Sequence, residues 1–299
     1  MALAGMCWTV SSLCMLQQKA RVDVPFVLEV VRSCRRGGGL APTPAAQEPE
    51  IRCTAAAVQM LAFLEEPLEA VGLCESELTL WAGSLAVPTE HGLAFLNSRA
   101  DVDPDLRNYH CALILGVDTD ASVWVRACLS KSEGGFGCRP GAEAHAGYTF
   151  CALSCLSLRE DLQPNSLTAE WLRARRVATG GFNGRAGKPA DSCYSFWVLA
   201  AMTLLGIADY GVRSHAEAFI LKSQVESGGL CRSPHARPVS GLFSSVESLG
   251  NQNPDPFHTH FGLLGLAICQ PGINLHVAHG TPANSDPLGL KPVTKRMSI

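Results

Sequence analysis

The sequence predicts an all-α protein assembled from repeated helical hairpins. Three observations carry that expectation. A glycine signal followed by an apolar residue recurs along the chain: "GGGL" with Gly39, "EHGLAF" with Gly92, "EGGFG" with Gly135, "TGGFNG" with Gly181 and "SGGLC" with Gly229. The intervals are 53, 43, 46 and 48 residues. Apolar runs of helical length fill the gaps and stop near Gly or Asn. Alternating strand patterns are nearly absent. Each period therefore holds two helices and a glycine loop, and glycine supplies the positive φ such a loop needs. Hairpins in a row make a solenoid and hairpins in a closed ring make a toroid; the period alone fits both.

Composition narrows the class. Apolar residues make up 47% of the 299 and charged ones 17%, enough for a sizeable core under a thinly charged surface. The net charge of −3 lacks the basic footprint of a nucleic-acid binder. Thirteen cysteines are scattered, odd in number and without a CxxC pair. That pattern predicts reduced core thiols in a cytoplasmic protein. The opening "MALAGMCWTVSSLCMLQQKARVD" is apolar but has no basic flank and is broken by Ser and Thr, so it reads as neither signal peptide nor membrane span. The closing "RMSI" holds no prenylatable cysteine.

Along the chain, residues 1–271 carry the repeats. The second, near "EHGLAFLNSRADVDPDLRNYHCALILGVD", is short and lacks the Gly-Gly pair. Residues 233–253 are rich in Ser, Pro and Gly and read as a surface insertion. Residues 272–299 have little periodicity and read as an irregular tail.

Three helix starts hold the residues that carry chemistry. "EAHAGYTFCALSCLSL" puts His145 at the start of an apolar helix. "PADSCYSFWVLAAMTLLG" puts Asp191 at a cap with Cys193 two residues on and Gly206 as the stop. "NPDPFHTHFGLLGLAIC" offers Asp255 as N-cap, Pro256 as first helical residue and His258 just inside. Equivalent helices of successive hairpins run parallel, so these N-termini gather at one end. That end suits an anion, and its field is expected to lower the pKa of the Cys193 thiol. Asp, Cys and His are competent zinc ligands, and three of them with an open position describe a catalytic zinc site. On spacing alone a cap, a core thiol and a first-turn polar residue account for the same letters. Arg185 and Lys188 lie in the glycine loop before Asp191. With His145 and Tyr194 they can hold a diphosphate, or they are two solvated loop cations.

The stretches "GGFNGRAGKPADSCYSFW", "GGFGCRPGAEAHAGYTFC" and "DPFHTHFGLLGLA" resemble the signatures of protein prenyltransferase β subunits, with weaker similarity from Ala4 to Cys269. The resemblance implies an α/α toroid with a central apolar funnel, a bound zinc ion and a separate helical α subunit as partner. It implies that Asp191, Cys193 and His258 hold zinc. It places His145, Arg185, Lys188 and Tyr194 on the diphosphate of the lipid donor, and Trp197 on its isoprenoid.

Details such as "FGCRPGAEAHAG", "PDPFHTHFG" and "LAGMCWTVSSLCML" are most similar to the type II members, which move a geranylgeranyl group from geranylgeranyl diphosphate to Rab GTPases presented by an escort protein. Ala4 falls where farnesyl enzymes resemble one another in a bulky tryptophan, and Ala55 is small at a second pocket position; both fit a twenty-carbon chain. Relatives usually carry some tens of residues before the first repeat, so an N-terminal piece is expected to be missing. Arg232 falls where type II and farnesyl members carry Asp and type I members carry Lys, and a cation there would replace magnesium beside the leaving diphosphate. The alternatives are a type I enzyme acting on CaaX ends and a toroid that serves as a non-catalytic scaffold.

Overall fold

The computed structural model describes residues 2–120, 122–178, 180–234, 253–270 and 275–283. Its odd-numbered helices are α1 (Leu3–Met15), α3 (Ile51–Leu64), α5 (Leu106–Ile114), α7 (Ala146–Leu158), α9 (Ser192–Leu204) and α11 (Pro256–Cys269). Between them run α2 (Val24–Ser33), α4 (Glu75–Gly83), α6 (Ser122–Ala127), α8 (Ser166–Arg173) and α10 (Tyr210–Lys222). Each odd helix packs on the next and α11 packs back on α1, so the six close a ring. The even helices lie outside: α4 against α5, α6 against α7, α8 against α9, and α10 against α9 and α11. The hairpins therefore form an α/α toroid, not an open solenoid.

Sequence explains the two layers. Helices α7, α9 and α11 contain no Asp, Glu, Lys or Arg, as a helix covered on both sides requires. Helices α2 and α8 are amphipathic and bury one stripe, Val27, Leu28 and Val31 in the first, Trp171 and Leu172 in the second.

A recurring backbone bond gathers the inner N-termini at one end of the ring. The first N–H of each inner helix donates to a carbonyl in the loop before the next inner helix. The pairs are Leu3 to Pro42 (2.8 Å), Ile51 to Asn97 (2.8 Å), Leu106 to Cys138 (2.9 Å), Ala146 to Gly184 (2.8 Å) and Ser192 to Arg232 (2.7 Å). An otherwise orphaned helix donor is satisfied each time. The last inner helix opens on Pro256, which has no N–H to place.

The glycine loops have a cause beyond positive φ. Two of the loops are short antiparallel hairpins, β1 (Arg35–Arg36) with β2 (Gly39–Leu40), and β3 (Ala86–Thr89) with β4 (Gly92–Phe95). Gly39 and Gly135 do not have positive φ. A Cβ on Gly39 would lie 2.5 Å from the Trp81 ring, and one on Gly135 would lie 2.6 Å from the Trp171 ring. Gly181 combines φ of +70° with a Cβ position 2.6 Å from the Phe219 ring. So in three of the pairs the second glycine seats an aromatic ring of the next outer helix, whereas Gly229 meets Pro254 and Thr259 before α11 and in its first turn. The second repeat replaces this device with the β3–β4 hairpin, keeps the Ile51–Asn97 bond and still brings α3 against α5. Gly181→Ala is expected to cost about 2–4 kcal/mol from clash and backbone strain. Gly141→Ala, at φ +78° in open space, should cost only about 1 kcal/mol. Denaturant melts of the two variants check this, and equal losses would refute the ring-seating role.

The tail differs from expectation. Residues 275–283, inside the stretch read as irregular, form a hairpin of β5 (Leu275–His276) with β6 (Thr281–Pro282). Ala278 and Thr281 are buried. Residues 272–274 and 284–299, and most of the expected 233–253 insertion, lie outside the described residues. None of the thirteen cysteines is in a disulfide. Among the described residues, no helix is long and apolar enough to cross a membrane.

Candidate metal and diphosphate site

The three expected helix starts meet at the mouth of the ring. Asp191 caps α9, its Oδ1 accepting from the Cys193 N–H at 3.1 Å. Asp255 caps α11, its Oδ1 accepting from the His258 N–H at 2.9 Å. His145 caps α7, its Nδ1 accepting from the Gly147 N–H at 3.1 Å. Small caps accept first-turn donors in this way.

One ligand atom each from Asp191, Cys193 and His258 lies within 4.8 Å of the other two. The donor set, a carboxylate, a thiol and an imidazole, suits zinc. Asp191 and Cys193 are buried and His258 is half-buried, so the set is not an accident of surface acids. His258 Nε2 stands 3.4 Å from Asp191 Oδ1, while its Nδ1 lies 2.5 Å from Asp255 Oδ2. Asp255 thus fixes the Nδ1–H form and turns Nε2 toward the cluster, the outer-shell arrangement typical of a metal-bound histidine.

Electrostatics follow from the packing. Burial works against a charged His258, but the Asp191 and Asp255 carboxylates outweigh it and raise its pKa. Burial also opposes the charged form of Asp191, yet its bonds to His258 and Cys193 leave its pKa lowered. The Cys193 expectation is corrected. Burial, then the Asp191 carboxylate, push the thiol well above its ordinary pKa. The helix field is outweighed because Cys193 is almost fully buried beside an anion. A bound cation reverses that balance.

The diphosphate candidates divide. His145 Nε2 and Tyr194 Oη are 3.1 Å apart. Burial, then Arg185 and Arg107, lower the His145 pKa, so the ring is neutral. Its Nδ1 is an acceptor, so Nε2 carries the proton and donates to Tyr194 Oη. The Tyr194 hydroxyl proton is left to donate elsewhere. Burial and the nearby Cys193 and Asp191 push the Tyr194 pKa to about 12, which keeps that proton in place. Gly184 permits this seat, because a Cβ there would fall 2.4 Å from the Tyr194 ring. Arg185 pairs with Glu143 at the rim. The Lys188 side chain is exposed and in no ion pair among the described residues. Arg232 Nε donates to Asp191 Oδ2 at 2.8 Å, and its loop is pinned by the Ser192 N–H and hydroxyl. It therefore stands directly on the cluster.

An aromatic wall runs inward from the mouth. Trp197 packs on Tyr194, Phe257 and Phe261 with centroids 5.6, 5.7 and 4.9 Å away. Phe261 meets Phe196 and Phe196 meets Phe150. Trp8 packs edge-on against Phe257 at 5.2 Å. Ala4 is one turn from Trp8 on the same face of α1, and Ala55 is one turn from Gln59 on α3. Sequence reading missed Trp8, Phe257, Phe261 and the bond by which Asp255 orients the His258 ring. The i,i+4 spacing of Phe257 with Phe261 was the available signal for the wall.

Comparisons agree with this architecture. A family model described as the prenyltransferase alpha-alpha toroid domain matches residues 1–295. The chain is 31% identical over 282 residues to a geranylgeranyl transferase type-2 subunit beta of Saccharomyces cerevisiae, covering 89% of this chain and 80% of the relative. It is 27% identical over 300 residues to a protein farnesyltransferase subunit beta of Schizosaccharomyces pombe, covering 91% and 72%. It is 30% identical over 190 residues to a geranylgeranyl transferase type-1 subunit beta of Arabidopsis thaliana, covering 56% and 46%. The fold matches a solved Candida albicans protein geranylgeranyltransferase-I complexed with GGPP, with TM-score 0.70 and 20% identity over 89% of this chain and 83% of that one. With its closed ring and the match along nearly its whole length, the chain belongs to the prenyltransferase alpha-alpha toroid family, among the protein prenyltransferase β subunits.

Proposed function

We propose that this chain is the catalytic β subunit of a zinc-dependent protein geranylgeranyltransferase of type II, working with a prenyltransferase α subunit in the cytoplasm. The observation that carries the reading is the convergence of Asp191, Cys193 and His258 within 4.8 Å at the mouth of an aromatic-lined ring. Asp191, Cys193 and His258 would hold the zinc, which when bound would supply a Lewis acid that lowers the pKa of the acceptor thiol. The S–C bond forms at C1 of geranylgeranyl diphosphate, the C–O bond to diphosphate breaks, and the thiol proton leaves to solvent.

The chain's own residues stabilise the departing charge. Tyr194 donates its free hydroxyl proton, held in direction by His145. Arg185, Lys188 and Arg232 add positive charge at the rim, which is electrostatic stabilisation without acid–base exchange. Trp197 and its aromatic neighbours line the lipid path, and Ala4 and Ala55 leave width for a twenty-carbon chain.

Likeness to the yeast type-2 subunit, over four-fifths of that relative, favours Rab GTPases with an escort protein as acceptors. Arg232 favours the type I reading at one point, because a cation on the cluster takes the place of magnesium. The test is transfer by the heterodimer to a Rab with its escort protein and to a CaaX peptide, each with and without magnesium. Transfer to the Rab that does not require magnesium is expected. Transfer to the peptide alone supports type I, and no transfer to either leaves the scaffold reading.

A further inference from the structure

The two oxygens of Asp191 face different neighbours. Oδ1 faces the cluster, accepting from the Cys193 N–H at 3.1 Å and standing 3.4 Å from His258 Nε2. Oδ2 accepts from Arg232 Nε at 2.8 Å. The Asp191 side chain is 7% exposed, so little water reaches Oδ2, and a buried anionic oxygen without a donor is costly. The backbone that presents Arg232 is tied on two sides. Ser192, between Asp191 and Cys193 in the chain, donates its N–H to the Arg232 carbonyl at 2.7 Å and its hydroxyl to the Cys231 carbonyl at 2.8 Å. The Cys231 N–H donates at 2.9 Å to the carbonyl of Ser223, the residue that closes α10. Ser192 and Ser223 are both buried. Arg232 therefore starts from a fixed point, and its side chain, half in solvent, lies with one end on a buried carboxylate.

We infer that Arg232 is a positioning residue for the metal centre: by holding Asp191 Oδ2 it confines Asp191 to ligating through Oδ1 alone, and so keeps one coordination position open for the acceptor sulfur. The inference rests on the reading above that Asp191, Cys193 and His258 hold zinc. Three protein ligands with a fourth position open distinguish a catalytic zinc site from a closed structural one. A carboxylate can also take a metal through both oxygens, and Asp191 would then fill the fourth position itself. Without a donor on Oδ2, the metal is the cation that this oxygen would turn to. The Arg232 bond removes that choice. Asp255 is used in the same divided way, one oxygen on the His258 N–H and the other on its ring. Both carboxylates beside the cluster thus have their second oxygen committed to a neighbour, the outer-shell control that fixes how ligands meet a metal. The assignment concerns the Nε of Arg232 and leaves its charge at the rim.

The test uses the full chain with its α partner, loaded with cobalt(II) in place of zinc and titrated with β-mercaptoethanol. A thiol that enters the open position adds to the near-ultraviolet sulfur-to-cobalt band, so the titration reads its affinity without any turnover. Arg232→Ala removes both the donor and the charge, and should weaken thiol binding about tenfold. Arg232→Gln is the discriminating variant. Its amide nitrogen sits the same number of bonds from Cα as the arginine Nε, so it keeps a donor for Oδ2 and removes only the charge. It should stay within about threefold of the wild type. Both variants should fold, because the side chain they replace is half exposed. Wild-type thiol affinity in Arg232→Ala overturns the inference and leaves the functional reading intact. Equal weakening in the two variants also overturns it, because charge alone would then explain the effect. A wild type that takes up neither cobalt nor zinc removes the metal reading and the inference together.

Discussion

His258→Ala is expected to bind no zinc at stoichiometric metal and to lose about a thousandfold in transfer rate, the scale of several kcal/mol of lost charge stabilisation. His258 supplies the Nε2 that faces Asp191, and nothing else among the described residues offers a third ligand there. The fold should survive, because the Asp255 cap bonds the His258 backbone N–H and does not need the ring. Zinc per chain by mass spectrometry, with a thermal melt beside it, checks the prediction; full occupancy in the variant would sink the ligand assignment. The pH dependence has a definite sign. Metal binding needs the Cys193 thiolate and neutral His258, and both groups have raised pKa values in the metal-free protein. Protons therefore compete with zinc, so affinity climbs as pH rises and falls on the acid side. Asp191, with its lowered pKa, stays charged throughout.

Asp255→Asn is expected to weaken zinc binding by about 10–100-fold while leaving stability nearly unchanged. The wild-type carboxylate does two jobs with two oxygens. Oδ1 caps α11, and Oδ2 orients the His258 ring. Asparagine keeps a cap acceptor but replaces the ring-orienting anion with a neutral amide. Asp255→Ala removes both and should add about 1 kcal/mol of lost capping. Chelator competition and denaturant melts on the pair separate the roles. Wild-type zinc affinity in Asp255→Asn would make Asp255 a cap and nothing more.

Much of the site was legible because it sits at helix starts, where capping chemistry has a local signature. Asp191 before Ser192, and Asp255 before Pro256, announce N-termini in a few letters. The period alone fitted a ring or a solenoid, since it is set within each hairpin; the family resemblance implied the ring, and the contact of α11 with α1 closes it. The reason for the glycine pairs was half visible: φ can be argued from a loop, but the rings of Trp81, Trp171 and Phe219 arrive from the next repeat. The 275–283 hairpin was not legible at all. Its bonds go to Gln59, His110 and Ser154, and no local pattern reports partners so distant. The Cys193 pKa was misjudged because a helix field can be read from position, whereas burial depends on the whole assembly.

Among the described residues, five of the six junctions around the ring carry a backbone stitch from one inner helix to the loop before the next, and the junction between α11 and α1 does not. Pro256 ends the series, and α1 and α11 meet through side chains, Trp8 against Phe257 and Phe261 among them. The toroid is therefore a strip with a seam. In chain order α1 and α11, its second neighbour in the ring, are separated by some 240 residues. That seam stands at the edge of the mouth, beside His258, so the last pairing in chain order is also the one that brings His258 to Asp191 and Cys193.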